Sequence, residues 1–356
     1  MIEPLSRTLS PFLTITIPSF NAEATIAETL ESILGQTYPN VEIIVSDNHS
    51  TDRTCEIVRS YNGRGVRLVT CPVMYQPTGS PLDNTNASIG NWNSLVDLGS
   101  GDLMTIYHAD DVYEKDIVES EVNFFLEHPE CSAVFTGCTL IDERGKFTSH
   151  DPVRLPKALT GRSIFDFSAV LNGLMRDGLM LVAPSIMLRR EAWRRAGRLD
   201  RRFEQAVDTE MWLRLAKEGP IGIIDQLLVR RRIHGKSDSS RGLIAYRHAM
   251  LPFIDVFEAY LADPSVVPLV EDCTMERYRF YRAGEQARVA INFLADGNTE
   301  KWKECLSESR DISLRGYAKH TRRAAAWILV AQCLTFLETL GLGMPVARRF
   351  FGYSMK

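Results

Sequence analysis

The sequence predicts an α/β protein, in which a mostly parallel β-sheet covered by helices is followed by an α-helical C-terminal region. Residues 12–71 alternate between apolar β-rich runs and amphipathic helical runs, an order that implies parallel strands joined by right-handed crossovers. The predicted strands are almost continuously apolar, as expected for a sheet buried on both faces. From about residue 242 onward the strand patterns stop and only helical patterns remain.

The elements follow one another with few interruptions. The run "FLTITIP" predicts a first strand that ends at a proline, and "AEATIAETLESILGQ" has the apolar spacing of a helix. A polar, turn-rich loop over 76–86 interrupts this alternation. The predicted strands are 12–18, 41–47, 66–71, 102–111 and 131–142, the predicted helices are 22–36, 51–61 and about 87–99, and 181–197 predicts a strand followed by a helix.

Length and composition bound the class of protein. A chain of 356 residues suggests about two domains, and the Ser- and Gly-rich stretch "HGKSDSSRG" places the boundary between 1–241 and 242–356. The net charge of -4 argues against a nucleic-acid partner, which usually selects a basic excess. Seven cysteines without a C-x-x-C pair indicate free thiols in a reducing compartment. Since no secretory signal follows Met1, we expect a cytoplasmic protein.

The C-terminal tail, residues 324–353, is apolar up to Leu342 apart from Gln332 and Glu338, and pairs of arginines flank it. A spanning helix needs about 20 apolar residues, and a central glutamate makes insertion costly. The pattern is typical of an interfacial helix on the inner face of the cell membrane. Packing against the domain or against a homodimer partner explains it equally well, so both interpretations stay open.

Three polar clusters directly follow predicted strands: "PSFN" (18–21), "SDNHSTD" (46–52) and "HADD" (108–111). In open α/β sheets, ligands bind outside the carboxyl ends of the strands. Each cluster alone has an ordinary explanation, because Asp47 suits a helix cap or a turn and acid pairs after strands are often solvated. Three clusters at the ends of parallel strands are explained better by a shared ligand site.

The adjacent carboxylates Asp110 and Asp111 predict a divalent cation. Two such groups repel one another unless a cation shares them, and hard oxygen ligands suit Mg²⁺ or Mn²⁺, which in turn bind a diphosphate. The sequence has neither the G-x-x-x-x-G-K-[ST] phosphate loop nor a strand-linked G-x-G-x-x-G. We therefore expect a nucleoside diphosphate that is held through a metal.

At this point four segments, in order, resemble the inverting glycosyltransferases of family 2. The segments begin with "ITIPSFNAEATIAETLESILGQTYPNVEIIVSDNHSTDRT" and continue with "GNWNSLVDLGSGDLMTIYHADD", "FEQAVDTEMWLRLAKEG" and "LLVRRRIHGKSDSS". The resemblance covers about 12–240. It implies the Rossmann-like GT-A fold, a nucleotide-sugar donor and a divalent metal cofactor.

The resemblance also implies roles for individual residues. Asp208 would be the catalytic general base, and Asp110 with His234 would bind the metal. His234 alone would more often be a structural or surface residue, and Arg230 and Arg231 receive no role. The nucleotide-sugar site would consist of Pro18, Phe20, Asn21, Asp47, Asn93, His108, Asp111 and Arg232.

Three departures from the family pattern bear on these roles. His108 replaces the usual Asp, and because imidazole is a poor ligand for Mg²⁺ we expect it to contact ribose or water. Asn48 and His49 stand where Asp and Gly are usual, which puts the choice of nucleotide in doubt. Val207 replaces the usual Glu before the base, so that Glu210 is the nearest second carboxylate.

The acids of "AVDTEMW" stand at the start of a predicted helix, beside large apolar residues. We expect the helix N-terminus to keep Asp208 deprotonated and Trp212 to anchor the segment in the core. The alternative is an ordinary N-cap, with Glu210 in the first turn. If Asp208 is the base, it takes the proton of an acceptor hydroxyl during direct displacement.

The sequence thus predicts a metal-dependent inverting glycosyltransferase. It would move a sugar from a nucleotide diphosphate donor to a glycan or lipid-linked acceptor during polysaccharide or O-antigen assembly. A nucleotidyltransferase would need a Gly-rich basic loop after the first strand, which "PSFNAEAT" does not provide. The remaining alternative is a non-catalytic nucleotide-sugar-binding or scaffold subunit, which the three departures favour.

Overall fold

The computed structural model describes residues 10–72, 83–150, 152–177, 179–233, 248–307, 322–339 and 342–351. The chain divides into two compact units, Met1–Ser240 and Arg241–Lys356. The first unit contains all the strands of the described residues and the second contains helices. The strands are β1 (Leu13–Ser19), β2 (Val41–Asp47), β3 (Val66–Thr70), β4 (Leu103–Ile106), β5 (Val112–Tyr113), β6 (Ala133–Ile141), β7 (Ile164–Phe165), β8 (Ile186–Arg189) and β9 (Ile221–Arg232).

The helices of the first unit lie between these strands. Helix α1 buries Ile26, Leu30 and Ile33, three of the apolar residues that predicted it, against the strands. The sequence predicts a loop over 76–86, but the helix that follows it already begins at Asp83. Residues 73–82 lie outside the described residues. The helices are α1 (Ile26–Leu34), α2 (Thr54–Ser60), α3 (Asp83–Leu95), α4 (Ile117–Glu127), α5 (Phe167–Asn172), α6 (Arg190–Ala196) and α7 (Val207–Glu218).

The strands form one sheet in the order β3-β2-β1-β4-β8-β6-β9-β5, with β7 paired to β9. The ladders among β3, β2, β1 and β4 are parallel, as the alternation of strands and helices predicts. Strand β8, however, lies antiparallel between β4 and β6. The α/β fold is confirmed, and the longer ladders are parallel, while short antiparallel pairings of β8, β5 and β7 make the sheet mixed. Period-two patterns report which face is buried, and they contain no information on strand direction.

Strand β9 is the longest of the described strands and was not predicted as a strand. It pairs in parallel with β6 and in antiparallel with β5 and β7, so it joins the second half of the sheet. Its last three residues are arginines, which hide the apolar pattern by which the other strands were identified. These arginines lie where the strand approaches the functional site.

The second unit is helical, as the sequence predicts. Its apolar core includes Phe280, Ile291 and Trp302, all nearly inaccessible to solvent. None of the described helices combines the length and apolar character needed to cross a membrane. The tail forms two helices and not one, and its attachment to a membrane or to a second copy stays a prediction. The helices are Pro252–Leu261, Asp272–Ala295, Thr299–Ser307, Arg322–Thr339 and Gly343–Phe351.

A buried acid lies in the core of the first unit. Tyr107 stacks on Tyr113 with ring centroids 3.8 Å apart, and Glu121 of α4 is fully buried near Tyr107. Neither carboxyl oxygen of Glu121 has a hydrogen-bond partner among the described residues. Burial therefore raises the pKa of Glu121 well above its usual range.

This raised pKa predicts a pH-dependent loss of stability that Glu121→Gln removes. The unfolded chain ionises Glu121 near its ordinary pKa of about 4.3, whereas the folded protein keeps it protonated. The free energy of unfolding should therefore fall by about 1.4 kcal/mol per pH unit above that value, until the folded pKa is reached. Urea unfolding at pH 5 and pH 8 measures the slope. In Glu121→Gln the slope should be smaller, while Glu127→Gln, an exposed site on α4, should leave it unchanged.

Candidate functional site

The three polar clusters meet at one edge of the sheet. Strand β1 lies between β2 and β4 and runs parallel to both, so the carboxyl ends of all three strands point the same way. The register pairs Ser19 with Asp47, the last residues of β1 and β2. The backbone N–H of Tyr107, just after β4, donates to the carbonyl of Thr16 in β1. The structure thus brings together the clusters that the sequence places after strands.

The loops after β1 and β2 are tied to each other through Asn21. Its backbone N–H donates to Ser50 Oγ at 2.9 Å, and its side-chain oxygen accepts from the backbone N–H of Thr51 at 2.8 Å. Asn21 and His49 both have a positive φ, 48° and 61°. The left-handed backbone at residue 49 explains why glycine is usual where this chain has His49. A histidine in this conformation is strained, and its Nε2 is buried without a partner among the described residues.

Asp47, predicted to bind the nucleobase, forms the turn after β2. It is nearly inaccessible to solvent, and its carboxylate accepts from the backbone N–H and the hydroxyl of Ser50 and from the hydroxyl of Ser19. In the structure Asp47 therefore has the turn-forming role that the sequence analysis gave as the alternative. Phe20 is half exposed beside this loop and Pro18 is partly buried in β1. The contacts of all three with a nucleotide stay predictions.

The acidic turn, residues 108–111, follows β4 and is held in place by the hydroxyl groups of three side chains. Thr25 and Thr29, at the start and on the inner face of α1, donate to two carbonyl oxygens of the turn at 2.9 and 2.8 Å. The hydroxyl of Tyr113 accepts from the backbone N–H of His108 at 2.7 Å. Since these donors belong to rigid elements, the turn has a defined shape.

Arg232, predicted to contact the donor, instead holds the acidic turn in place. Its side chain is almost completely buried, and its Nη2 lies 2.6 Å from the carboxylate of Glu28 in α1. Nε donates to the carbonyl of Asp110, and Nη1 donates to two carbonyls in the turn after β6. Its backbone N–H donates to Oδ1 of Asp111 at 2.7 Å. The three guanidinium nitrogens thus have protein acceptors, which favours a positioning role; its contact with the donor stays a prediction.

The acidic turn fits a divalent cation. One ligand atom each from His108, Asp110 and Asp111 lies within 4.8 Å of the others. Nε2 of His108 and Oδ2 of Asp111 are buried and have no hydrogen-bond partner among the described residues. Burial, followed by the charge of Asp110, raises the pKa of Asp111 well above its usual range. Burial lowers the pKa of His108 to about 4, so the imidazole is neutral and able to ligate. His234, the other predicted ligand, lies outside the described residues.

The two carboxylates at the start of α7 have different environments. Glu210 is buried and forms an ion pair with Arg214 one turn later, at 2.6 Å. Arg214 also donates to the carbonyls of Ala196 and Arg198, so the pair fixes α7 to the segment after α6. Trp212 is buried and packs edge-on against a phenylalanine of β6, as expected for an anchor. Glu210 is therefore structural, and Asp208 is the acid of α7 that remains for chemistry.

Asp208 keeps partial contact with solvent, and its carboxylate accepts from the backbone N–H of Thr209 at 2.6 Å. The surrounding protein raises the pKa of Asp208, because burial outweighs this hydrogen bond and the positive charge of Arg231. The helix N-terminus is therefore not the largest influence on this carboxyl, and its deprotonated state stays a prediction. A carboxylate with a raised pKa has greater proton affinity, which suits a general base.

Arg231 is the site residue that the sequence analysis missed. Side chains alternate along a strand, so Arg231 points to one face of β9 while Arg230 and Arg232 point to the other. On that other face Arg230 pairs with Glu114 and Arg232 pairs with Glu28. The charge of Arg231 lowers the pKa of His108, Asp111 and Asp208. The charge of one guanidinium thus acts on both the acidic turn and the predicted base. If β9 had been identified as a strand, its two-residue period would have assigned Arg231 to one face and Arg230 and Arg232 to the other.

Asn93 of α3, predicted to bind the donor, contacts the chain before α7. Its side-chain oxygen accepts from the backbone N–H of Leu199 at 2.7 Å, and its side-chain nitrogen donates to the carbonyl of the same residue at 3.3 Å. This pair of bonds links α3 to the segment that leads to Asp208. In the structure Asn93 positions that segment; its contact with a nucleotide sugar stays a prediction.

The α/β architecture with an acidic turn after the fourth strand defines the GT-A class of folds. Residues 14–197 match the model of the family described as Glycosyl transferase family 2. The chain belongs to this family.

Relatives and solved structures agree with the assignment. The chain is 28% identical over 292 residues to a Bacillus subtilis (strain 168) protein that carries the name glycosyltransferase EpsE, covering 78% of this chain and 96% of the relative. It is 27% identical over 248 residues to the chondroitin synthase of Escherichia coli, covering 68% of this chain and 32% of that protein. In fold it is similar to the mannosyltransferase PcManGT from Pyrobaculum calidifontis in complex with GDP-Man and Mn²⁺, with a TM-score of 0.52 and 17% identity, covering 96% of this chain and 88% of that one.

The structural assignment of Glu210 is tested by Arg214→Met. This change leaves a buried carboxylate without its cation, and we expect a loss of about 2–4 kcal/mol in the free energy of unfolding, reduced from the fully buried case by the partial exposure of Arg214. Adding Glu210→Gln to the same chain should restore part of that loss. Denaturant unfolding of the single and double variants measures the coupling. Equal stability of the wild type and Arg214→Met would show that the pair contributes nothing to α7.

Proposed function

We propose that the protein is a metal-dependent inverting glycosyltransferase that uses a nucleotide-diphosphate sugar. It transfers the sugar to a hydroxyl of a glycan or lipid-linked acceptor in polysaccharide biosynthesis. Family membership supports sugar transfer. The similarity to a chondroitin synthase supports a polysaccharide product, and the similarity to a fold that binds GDP-Man and Mn²⁺ supports the donor and the metal.

The observation that carries the proposal is that the positive charge of Arg231 acts on two acidic groups of different kinds. The first is the acidic turn, in which Nε2 of His108 and Oδ2 of Asp111 are buried without a hydrogen-bond partner among the described residues. The second is Asp208, a partly accessible carboxylate with a raised pKa. A leaving diphosphate and a general base are the two requirements of direct displacement at an anomeric carbon.

The reaction follows from these groups. The acceptor oxygen forms a bond to the anomeric carbon while the bond from that carbon to the diphosphate oxygen breaks, with inversion. Asp208 takes the hydroxyl proton of the acceptor, and Arg231 offers positive charge to the departing diphosphate. Asp110 and Asp111 would hold the cation, which neutralises charge on the diphosphate when bound. Arg232 keeps the acidic turn in position throughout.

Asp208→Asn tests the role of the general base. The amide preserves shape and cannot accept the proton, so release of nucleoside diphosphate from UDP- and GDP-sugars in the presence of Mn²⁺ should fall by about 10²–10⁴-fold. Calorimetric binding of UDP or GDP with Mn²⁺ should remain within a few-fold of the wild type.

The same experiment separates the enzyme from the non-catalytic alternative, which His108, Asn48 and Val207 favour because they depart from the family pattern. A wild type that binds nucleotide and Mn²⁺ but releases no product from any UDP-, GDP- or dTDP-sugar, and that Asp208→Asn leaves unchanged, would be a nucleotide-sugar-binding subunit. A wild type that binds no nucleotide would contradict both proposals.

Arg231→Gln should shift the pH dependence of the reaction. Arg231 lowers the pKa of Asp208, so its removal raises that pKa and moves the acidic limb of the kcat/KM profile to higher pH. Turnover should also fall at the pH optimum, because charge is lost beside the departing diphosphate. Arg230→Gln is the matched control on the opposite face of β9. A profile that shifts equally in both variants would contradict the assignment of Arg231.

A further inference from the structure

We propose that His108 is a direct nitrogen ligand of the divalent cation and makes this site prefer Mn²⁺ to Mg²⁺. The inference rests on the proposed function, which supplies the metal-bound diphosphate. It differs from the expectation that His108 contacts ribose or water, and it explains a residue that departs from the family pattern.

The position of the imidazole is fixed by its surroundings. The backbone N–H of His108 donates to the hydroxyl of Tyr113 at 2.7 Å, and the ring meets the ring of Trp92 edge-on, with centroids 5.5 Å apart. Tyr113 in turn is buried and stacked on Tyr107. A ligand side chain that is held by packing and hydrogen bonds costs less entropy when it binds a cation.

The buried polar atoms in the turn form a site suited to a cation. Nδ1 of His108 lies 3.7 Å from Oδ2 of Asp111, too far for a hydrogen bond. That carboxylate is almost completely buried, and its Oδ2 has no partner among the described residues. Nε2 of His108 is likewise buried and without a partner. Buried polar atoms are nearly always satisfied in folded proteins, so these atoms indicate a ligand with positive charge.

A hydrogen-bonded ribose or water explains less of this arrangement. A ribose hydroxyl would satisfy one imidazole nitrogen but would leave the buried Oδ2 of Asp111 without a partner. A cation satisfies the imidazole and the carboxylates together, and a ligand atom of each lies within 4.8 Å of the others. The side chains therefore form a set of one nitrogen and two carboxylates.

This set of ligands favours one class of metal. Mg²⁺ prefers an all-oxygen shell and retains its waters. Mn²⁺ shares the carboxylate ligands but, as a first-row transition ion, also binds sites that include nitrogen. Replacement of the family's usual carboxylate by imidazole also removes one negative charge from the site, which weakens the attraction for both cations and leaves the nitrogen ligand to discriminate between them. The identity of residue 108 thus determines the metal preference.

The first test uses the full-length protein with UDP or GDP and Mn²⁺. Electron spin-echo modulation of bound Mn²⁺ should show coupling to ¹⁴N in the wild type and a weaker coupling in His108→Asp. Because His234 is also a predicted ligand, His234→Ala is measured alongside, and His150→Asp, in an exposed loop, is the matched control. If the coupling is unchanged in His108→Asp and disappears in His234→Ala, the inference is wrong.

The second test measures affinity for Mn²⁺ and Mg²⁺ by calorimetry in the same variants with the same nucleotides. His108→Asp should reduce the ratio of Mn²⁺ to Mg²⁺ affinity by roughly tenfold, the lower end of the effect of disturbing a metal ligand set. His108→Asn, a neutral replacement, should weaken both metals without restoring Mg²⁺. An unchanged ratio would overturn the inference while the proposed function stands, whereas a wild type that binds neither metal with nucleotide would overturn both.

Discussion

The buried guanidinium of Arg232 is the interaction on which the arrangement of the site depends. A buried cation is stable only when its donors are satisfied, and breaking such a group leaves an uncompensated charge. Arg232 meets this requirement with acceptors from three places in the chain: Glu28 of α1, the acidic turn and the turn after β6. The same residue donates its backbone N–H to Asp111. Helix α1, strand β9 and the acidic turn are therefore fixed to one another by a single residue.

The alternation of side chains along β9 divides structural and chemical roles between neighbours. Arg230 and Arg232 form ion pairs with Glu114 and Glu28 on one face. Arg231 points to the other face, and its charge acts on the acidic turn and on the predicted base. Three consecutive arginines that resemble a uniform basic patch in the sequence are thus two positioning groups and one group in the site.

Charge and burial act in opposite directions on the acids of the site. Asp208 and Asp111 are both shifted toward protonation by their surroundings, while Arg231 counters the shift in each. Glu210, two residues from Asp208, is instead neutralised by Arg214. The carboxylate suited to take up a proton is therefore the one without a dedicated ion-pair partner on its own helix.

By itself the sequence determined the succession of strands and helices in 12–71, the helical C-terminal region and the family. It also placed the acidic turn after a strand and Asp208 at the start of a helix, because hydrophobic period and short motifs are local properties. Only the tertiary structure decided the antiparallel insertion of β8, the role of β9, the pairing of Glu210 with Arg214 and the use of Asn93 and Arg232 as supports. These depend on which distant segments meet. The tertiary structure also decided the raised pKa of Asp208. Its cause is burial, which is a property of the folded chain and does not follow from a position at a helix end.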